Sequence, residues 1–570
     1  MSSFASTPTK VTWARLAVYR KVAGLQLVRR NSTRASTNVV NSDIVIVGGG
    51  PAGLALASAL GSSSSLRKNV SVTLVEGGDL TQIKSWNPPP ESFSNRVSSL
   101  TNTSRSFLQD IGAWSYVDET RTCQVEQLQV WDGISDARIE FSSNDLPSTS
   151  SMARLTENLN LQRGLLRHLD NIPEIQVLQK TKVTSIENDS SDRGGWPLVH
   201  LDNETTLRAR LLVGADGFNS PVRQFAQIPS FGWAYDTQAI VATLNHFPRG
   251  AYEGPNTTGY QRFLPTGPIA FLPLSPSVSS LVWSTKPPIA KALLASDPGV
   301  LSCMINAAFR LPYASLKYLQ NRIVDAHAAG TPLSPDEIRE EIQWREHAHG
   351  IDQNSAYSCR TAGITNQGIP PADSEMLPPL VLQLQSGTMA SFPLRFNHAE
   401  SYIGDGSKGR TVLVGDAAHT IHPLAGQGLN LGLADAECLA RCIQNSILSG
   451  GDIGSYTALL PYTQERYLAN HTVMSACDKL HKLYSMEDER VVWVRSVGVE
   501  VLNELDSIKA AMMMTAGARQ SARNSSMSST GWALAGDAVA SLSSGIQTAG
   551  TIGRIVGNYV DSVVGKLARK

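Results

Sequence analysis

The sequence predicts an α/β protein: a parallel-sheet domain interrupted by an inserted antiparallel-sheet domain and followed by a helical C-terminal region. Three observations predict it. The segment Val412–Ala440, VLVGDAAHTIHPLAGQGLNLGLADAECLA, passes from an apolar run into Gly415-Asp416, then a Pro/Gly-rich loop, then Leu and Ala at helical spacing. That order reads as a strand, a carboxylate at its end, and a loop feeding backbone N–H groups into a helix start. Roughly 370 residues earlier, Asp43–Leu60, DIVIVGGGPAGLALASAL, shows strand, glycine turn and helix in the same succession. Between them, Ala239–Leu244, Gly259–Leu264, Ile269–Leu274 and Ser280–Ser284 are short runs split by Gly and Pro, as in an antiparallel sheet.

A chain of 570 residues exceeds one core, so two or three domains are expected, and 42% hydrophobic residues suffice to fill them. The formal net charge is zero, so no basic field recruits nucleic acid. Residues 1–38 contain seven Lys and Arg, abundant Ser and Thr, and no acidic residue before Asp43. That composition reads as a mitochondrial presequence. Next comes the first part of the nucleotide domain, 42–228: strand Asp43–Val47, glycine turn, helix, second strand Val70–Glu76, a loop then helix from Ser94, a helix over Thr156–Leu169, and a third strand Leu211–Val213 ending in GADGFNS. Residues 229–395 form the inserted substrate domain, with a mostly helical insert at 290–385 that includes the solvated helix SPDEIREEIQWRE. Residues 396–445 return to the nucleotide domain, and 446–570 are helical. In the tail, Ala535, Val539, Leu542, Ile546, Ala549, Ile552, Val556, Val560 and Val563 recur every three or four positions. That helix packs either on the protein's own surface or against a membrane or partner. No run is a convincing transmembrane helix.

Gly48, Gly50 and Gly53 form G-x-G-x-x-G. The first permits a tight bend, the second lets a pyrophosphate approach the backbone, and the third lets helix pack on strand, in a Rossmann-like turn. Glu76, closing the second strand, can accept hydrogen bonds from both ribose hydroxyls of an adenosine. NAD and FAD both satisfy these features. Two further carboxylates favour FAD. Asp216, in GADG, follows the third strand and organises the loop between the dinucleotide strands. Asp416 can accept from a ribityl hydroxyl, a group that NAD lacks.

The loop His422–Asn430 is the expected ring site. Gly426 and Gly428 lack side chains, so a flat ring can lie against the backbone. N–H groups of Gly428, Leu429 and Asn430, at a helix start, face the pyrimidine edge and stabilise negative charge there. Pro423 shapes the wall beside the ring, and Arg96 is placed to contact flavin or pyrophosphate. His419 and His422 lack a third ligand of suitable spacing, so no metal is expected. The six cysteines form no CxxC pair; Cys438 and Cys442 share a helix face as buried thiols. No Ser-His-Asp set, paired carboxylate or P-loop is persuasive, which leaves the hard chemistry to the cofactor.

The three motifs, together with SNRVSSL at Ser94–Leu100, LQVWD at Leu128–Asp132, TEN at Thr156–Asn158, FLPTGPIAFLPLS at Phe263–Ser275 and GDAAHTIHPLAGQGLNLG, resemble the ubiquinone-biosynthesis hydroxylases of the aromatic-hydroxylase flavoproteins, and with the leader and the long insert at 290–385 the chain resembles their mitochondrial rather than their bacterial members. The resemblance covers roughly residues 42–445. It implies an FAD-binding domain of aromatic-hydroxylase type and FAD-dependent hydroxylation, through a flavin hydroperoxide and O2, of a polyprenylated phenol or hydroxybenzoate. It also implies peripheral attachment to the matrix face of the mitochondrial inner membrane, within a coenzyme Q biosynthetic complex. Electrons would come from ferredoxin and ferredoxin reductase, or from NADPH. Two other readings stand beside it: a flavin reductase of isoprenoid double bonds, and a scaffold subunit that holds FAD for stability. An apolar channel for the prenyl tail is expected, with Phe263, Ile269, Phe271, Leu272 and Trp283 either lining it or forming ordinary core.

Overall fold

The computed structural model describes residues 38–145, 151–189, 195–249, 254–351 and 376–504, with Lys509 and Met513. The expected presequence but for residue 38, part of the expected 290–385 insert and the expected C-terminal tail helix lie outside the described residues.

A seven-stranded sheet forms the base. Ile175–Leu178, Val72–Val75, Asn38–Val47, Thr205–Gly214 and Thr411–Leu413 run parallel in that spatial order. Pro197–Leu201 and Val183–Asn188 extend it antiparallel beyond Thr205–Gly214. Its central strands are continuous apolar runs because helices cover both faces. The helix Pro51–Ser62 is buried over nearly all of its length, as its almost wholly apolar sequence requires. It packs against the helices Gly428–Leu448 and Asn158–Leu169.

The second sheet has nine strands, built around Ser230–His246, Thr258–Leu264, Gly267–Pro273 and Val278–Thr285. It also takes in Gln127–Asp132, parallel to Thr258–Leu264, and Arg138–Ser142. This second sheet thus reaches back across the boundary expected at residue 229. LQVWD carried no turn signal to show that its partner lies about 130 residues away. Four helices, Pro287–Ala295, Pro298–Arg310, Tyr313–Ala329 and Pro335–Ala348, cover one face of this sheet. The last is the expected charged helix. Ser334 and Glu337 cap its start reciprocally, while Ile338 and Ile342 anchor it in the core.

A third, three-stranded sheet joins Val97–Thr101, Ala153–Glu157 and Thr122–Val125. Two expectations change here. The segment after Ser94 is a strand before its helix Asn102–Asp110, and Thr156-Glu157 end a strand, so the following helix starts at Asn158. Glu157 is fully buried and takes the Arg121 guanidinium at 2.7 Å. The chain ends its described course in the helices Gly428–Leu448, Tyr456–Tyr484 and Glu489–Asn503. The last is locked to the large sheet by a buried Arg495–Asp132 pair at 2.6 Å. Among the described residues no helix is long and apolar enough to cross a membrane.

Candidate active site

Strand register builds the site. Val75 pairs with Val47, Val47 with Gly214, and Gly214 with Leu413, so four parallel strands end in one row. The residues that follow those ends are Glu76, Gly48, Ala215-Asp216 and Val414-Gly415-Asp416. At about 4.8 Å per strand, the row spans roughly 14 Å along the carboxyl edge of the sheet, where open α/β sheets bind ligands. Segments remote in the chain therefore meet along one line.

The glycine turn divides into two kinds of position. Gly48 has φ +112°, and an added Cβ would fall 2.2 Å from the Ala215 carbonyl oxygen. A Cβ on Gly53 would fall 2.1 Å from the Gly48 carbonyl oxygen. The protein itself requires these two glycines. At Gly50 nothing lies within 4 Å of a Cβ, so this glycine answers no protein neighbour. The helix that it caps begins with Pro51, has no side-chain cap and no acidic residue in its first turn. Its first N–H groups are left for an anion. Glu76 is half-buried; its Oε2 accepts the Gly49 N–H at 2.6 Å and its Oε1 the Gly78 N–H at 2.6 Å. One lone pair remains on each oxygen.

Asp216 Oδ2 accepts the Val222 N–H at 3.1 Å, while Oδ1 is buried without a partner. Burial pushes its carboxyl pKa up. An open acceptor beside the glycine turn suits a donor-bearing molecule there. Asp416 keeps access to solvent, yet the surrounding protein desolvates it enough to raise its carboxyl, with His419 partly offsetting the effect.

At the ring end, His422 Nδ1 accepts the Leu424 N–H at 3.2 Å and caps the turn Pro423–Ala425. Its Nε2 therefore carries the proton. Gly426 closes the turn at φ +60°. The helix Gly428–Leu448 makes its first bond from Leu431 N–H to Gln427 carbonyl at 2.9 Å, so the N–H groups of Gly428, Leu429 and Asn430 have no acceptor within the helix. Gly428 would meet only Ile421 at an ordinary 3.5 Å were it given a Cβ. The Asn430 side chain is a tie: its Oδ1 accepts Thr101 N–H at 3.0 Å and its Nδ2 donates to Ser99 carbonyl at 2.7 Å. The ring loop is thus fastened to the strand that opens just after Arg96, which is itself exposed.

His419 and His422 face different partners, and among the described residues no cluster of three His, Cys, Asp or Glu is placed to hold a metal. Ile269, Phe271 and Trp283 are fully buried against the covering helices, and Phe263 stacks on Tyr484 at 4.1 Å. These four are core, not channel wall. Leu272 faces the other way, packed against a separate cluster that includes Phe93 and Leu155.

Sequence reading missed the polar hub beneath the loop. Asp435, fully buried, accepts from Gly415 N–H, His419, Arg466 and Asn470. Burial alone would raise its carboxyl, but His419 and Arg466 hold it well below the usual carboxylate range. The signal was present as Tyr462, Arg466 and Asn470, four residues apart on one helix face.

The residues fit a bound dinucleotide: a glycine without a protein neighbour, an uncapped helix start, an orphaned carboxylate oxygen and a second open helix start lie along one sheet edge. A family model described as an FAD binding domain matches residues 41–290 and 382–476. The mitochondrial ubiquinone biosynthesis monooxygenase COQ6 of Schizosaccharomyces pombe is 36% identical over 480 residues, covering 83% of this chain and 91% of its own. The human protein of the same name is 32% identical, covering 85% and 94%. Among solved structures, p-nitrophenol 4-monooxygenase PnpA from Pseudomonas putida superposes with a TM-score of 0.56 at 16% identity, covering 85% of this chain and all of its own. PqsL from P. aeruginosa in complex with 2-aminobenzoylacetate gives 0.54 at 20%, covering 81% and 99%. At such identities the structures speak to fold alone.

Proposed function

This chain belongs to the COQ6 family of mitochondrial ubiquinone biosynthesis monooxygenases, and from that premise we propose how its residues hold FAD and direct the reaction. The protein is an FAD-dependent monooxygenase that hydroxylates an aromatic ring in the ubiquinone pathway, with O2 as co-substrate. When bound, FAD supplies electron acceptance and dioxygen activation, which no side chain here provides.

In our reading the adenosine ribose hydroxyls donate to the free lone pairs of Glu76. Gly48, Gly50 and Gly53, with the N–H groups that open helix Pro51–Ser62, would hold the pyrophosphate, and Arg96 would offer a cation to flavin or pyrophosphate. Asp216 takes a donor on its Oδ1 and Asp416 accepts from the ribityl chain. The N–H groups of Gly428, Leu429 and Asn430 stabilise negative charge at the ring's pyrimidine edge, since they point outward at a positive helix end. Pro423, Gly426 and Gly428 shape the ring's seat and keep water from it. The observation that carries this reading is the shared strand register, which sets Glu76, Gly48, Asp216 and Asp416 along one edge.

The division of labour follows. Residues 42–228 and 396–445 hold FAD; residues 229–395, joined by the strands Gln127–Asp132 and Arg138–Ser142, hold the substrate. The substrate is a polyprenylated phenol or hydroxybenzoate, whose tail favours an apolar path by about 0.8 kcal/mol per buried CH2. Electrons arrive from ferredoxin and ferredoxin reductase or from NADPH. The enzyme works peripherally on the matrix side of the inner membrane with subunits of the coenzyme Q biosynthetic complex.

The test is purification followed by turnover. The protein should be yellow, and reduction under air with a prenylated phenol should add one oxygen atom to the ring. A product heavier by two hydrogens identifies a reductase instead. A colourless protein that takes up no FAD on reconstitution ends the reading.

A further inference from the structure

The helix Tyr456–Tyr484 lies beyond the glycine and Gly-Asp motifs, yet it reaches beneath the ring end of the site. Three of its side chains, spaced by four residues, form one inward polar stripe. Tyr462 donates to the Leu413 carbonyl at 2.7 Å. Arg466 Nε donates to Asp435 Oδ1 at 2.9 Å, and Asn470 Nδ2 donates to the same oxygen at 3.0 Å. Asn470 also reaches the Tyr402 hydroxyl at 3.1 Å, which in turn meets His398 at 2.9 Å. On its other oxygen Asp435 accepts Gly415 N–H at 3.1 Å and His419 Nε2 at 2.6 Å. Asp435, Tyr462 and Asn470 are fully buried, and His419 nearly so.

Every acceptor position of this carboxylate is therefore used. Two of its four partners, Gly415 and His419, lie on residues 413–419, the stretch that turns through Gly415 at φ +59° and presents Asp416, and Tyr462 holds the Leu413 carbonyl of the same stretch. A buried ion pair kept for stability alone gains little, because apolar residues of similar volume serve as well. What a saturated carboxylate gives is a fixed geometry for the backbone it grips.

We propose that Asp435 is a positioning residue for the flavin site: through Gly415 and His419 it fixes the turn that presents Asp416, and Arg466 and Asn470 make that geometry depend on the helix Tyr456–Tyr484. This rests on the FAD reading above. The consequence is a coupling between cofactor binding and the helix Tyr456–Tyr484, which also meets the loop His422–Asn430 through the His481 and His422 rings, 4.6 Å apart.

The test uses the full chain. In the wild type, hydrogen exchange is followed with and without FAD. Protection should rise together in residues 411–420 and 462–470; protection confined to the loop and to 428–432 overturns the proposal. Asp435→Asn and Asn470→Ser are then compared for FAD affinity by flavin fluorescence, and for the shape of the bound flavin's visible band. Folded variants should bind at least about tenfold more weakly, with an altered band. Wild-type affinity and band shape in a folded variant overturn the proposal. If Asp435→Asn does not fold, Asn470→Ser and the exchange result decide. A wild-type chain that takes up no FAD overturns the functional reading itself, whereas normal uptake by wild type and variants alike overturns only the role of Asp435.

Discussion

Replacing Gly50 with Ala separates what the protein needs from what the cofactor needs. Gly50 has φ −70° and ψ 174°, which any residue adopts, and no atom stands within 4 Å of the new Cβ. Glycine-to-alanine exchange at a compatible conformation raises stability by about 0.4–1 kcal/mol, because the unfolded chain loses freedom. The apoprotein should therefore be as stable as wild type or slightly more so. The methyl group would instead occupy the surface on which the pyrophosphate is to rest. Overpacking of about 1–3 kcal/mol translates into roughly 5- to 150-fold weaker FAD binding. Gly48→Ala should do the reverse. At φ +112° with a Cβ 2.2 Å from Ala215 oxygen, strain and overlap together should remove about 2–5 kcal/mol of folding free energy. That is a large part of a typical domain's stability. Urea denaturation of apoprotein and titration of flavin fluorescence measure the two quantities separately. Wild-type FAD affinity in Gly50→Ala, or marked destabilisation of its apoprotein, would refute the assignment of Gly50 to the phosphates.

Asp416→Ala should leave stability within about 0.5 kcal/mol, since the side chain is solvent-accessible, while FAD retention and hydroxylation both fall; thermal melts of apoprotein and flavin content after gel filtration check this. Arg121→Leu strands the buried Glu157 carboxylate and should lower unfolding free energy by about 3–5 kcal/mol in urea titrations. Acid should destabilise the fold well above the carboxylate range. Burial, helped by His419 and His471, pushes His398 down to about 3, and burial with His481 does the same to His422. An unfolded histidine titrates near about 6.5. Between those values the unfolded chain binds more protons, so this stability is present in full above about pH 6.5 and is lost progressively as pH falls toward 3. The melting temperature should drop between pH 7 and pH 5, and His422→Gln should flatten that slope; a pH-independent melting temperature in this window contradicts the burial of neutral histidines.

Much of the cofactor end was legible in contiguous sequence. A strand that stops at Gly48, a helix that starts at Pro51 and a loop that feeds Gly428 are local events, governed by backbone freedom and by periodicity over one or two turns. The same local logic marked the inserted sheet and the capped helix at Ser334. Where the reading slipped, the deciding contact was not local. The stretch after Ser94 becomes a strand because Ala153–Glu157 pairs with it, and Gln127–Asp132 joins a sheet whose strands, its neighbour Arg138–Ser142 aside, lie at Ser230 and beyond. Ile269, Phe271 and Trp283 alternate as strand residues should, but alternation states which residues share a face, not what that face meets. The covering helices made it core.

By itself, then, the order of residues determined the glycine turn, the identity of the carboxylates at the strand ends and the helix starts, because each follows from neighbours a few positions away. Only the folded chain decided that Val75, Val47, Gly214 and Leu413 end side by side, that Asn430 ties the ring loop to Ser99 and Thr101, and that Asp435 gathers Gly415, His419, Arg466 and Asn470. Those arrangements depend on sheet register and helix packing between segments up to hundreds of residues apart, where hydrogen-bond partners are fixed by burial in three dimensions and leave no periodicity to read.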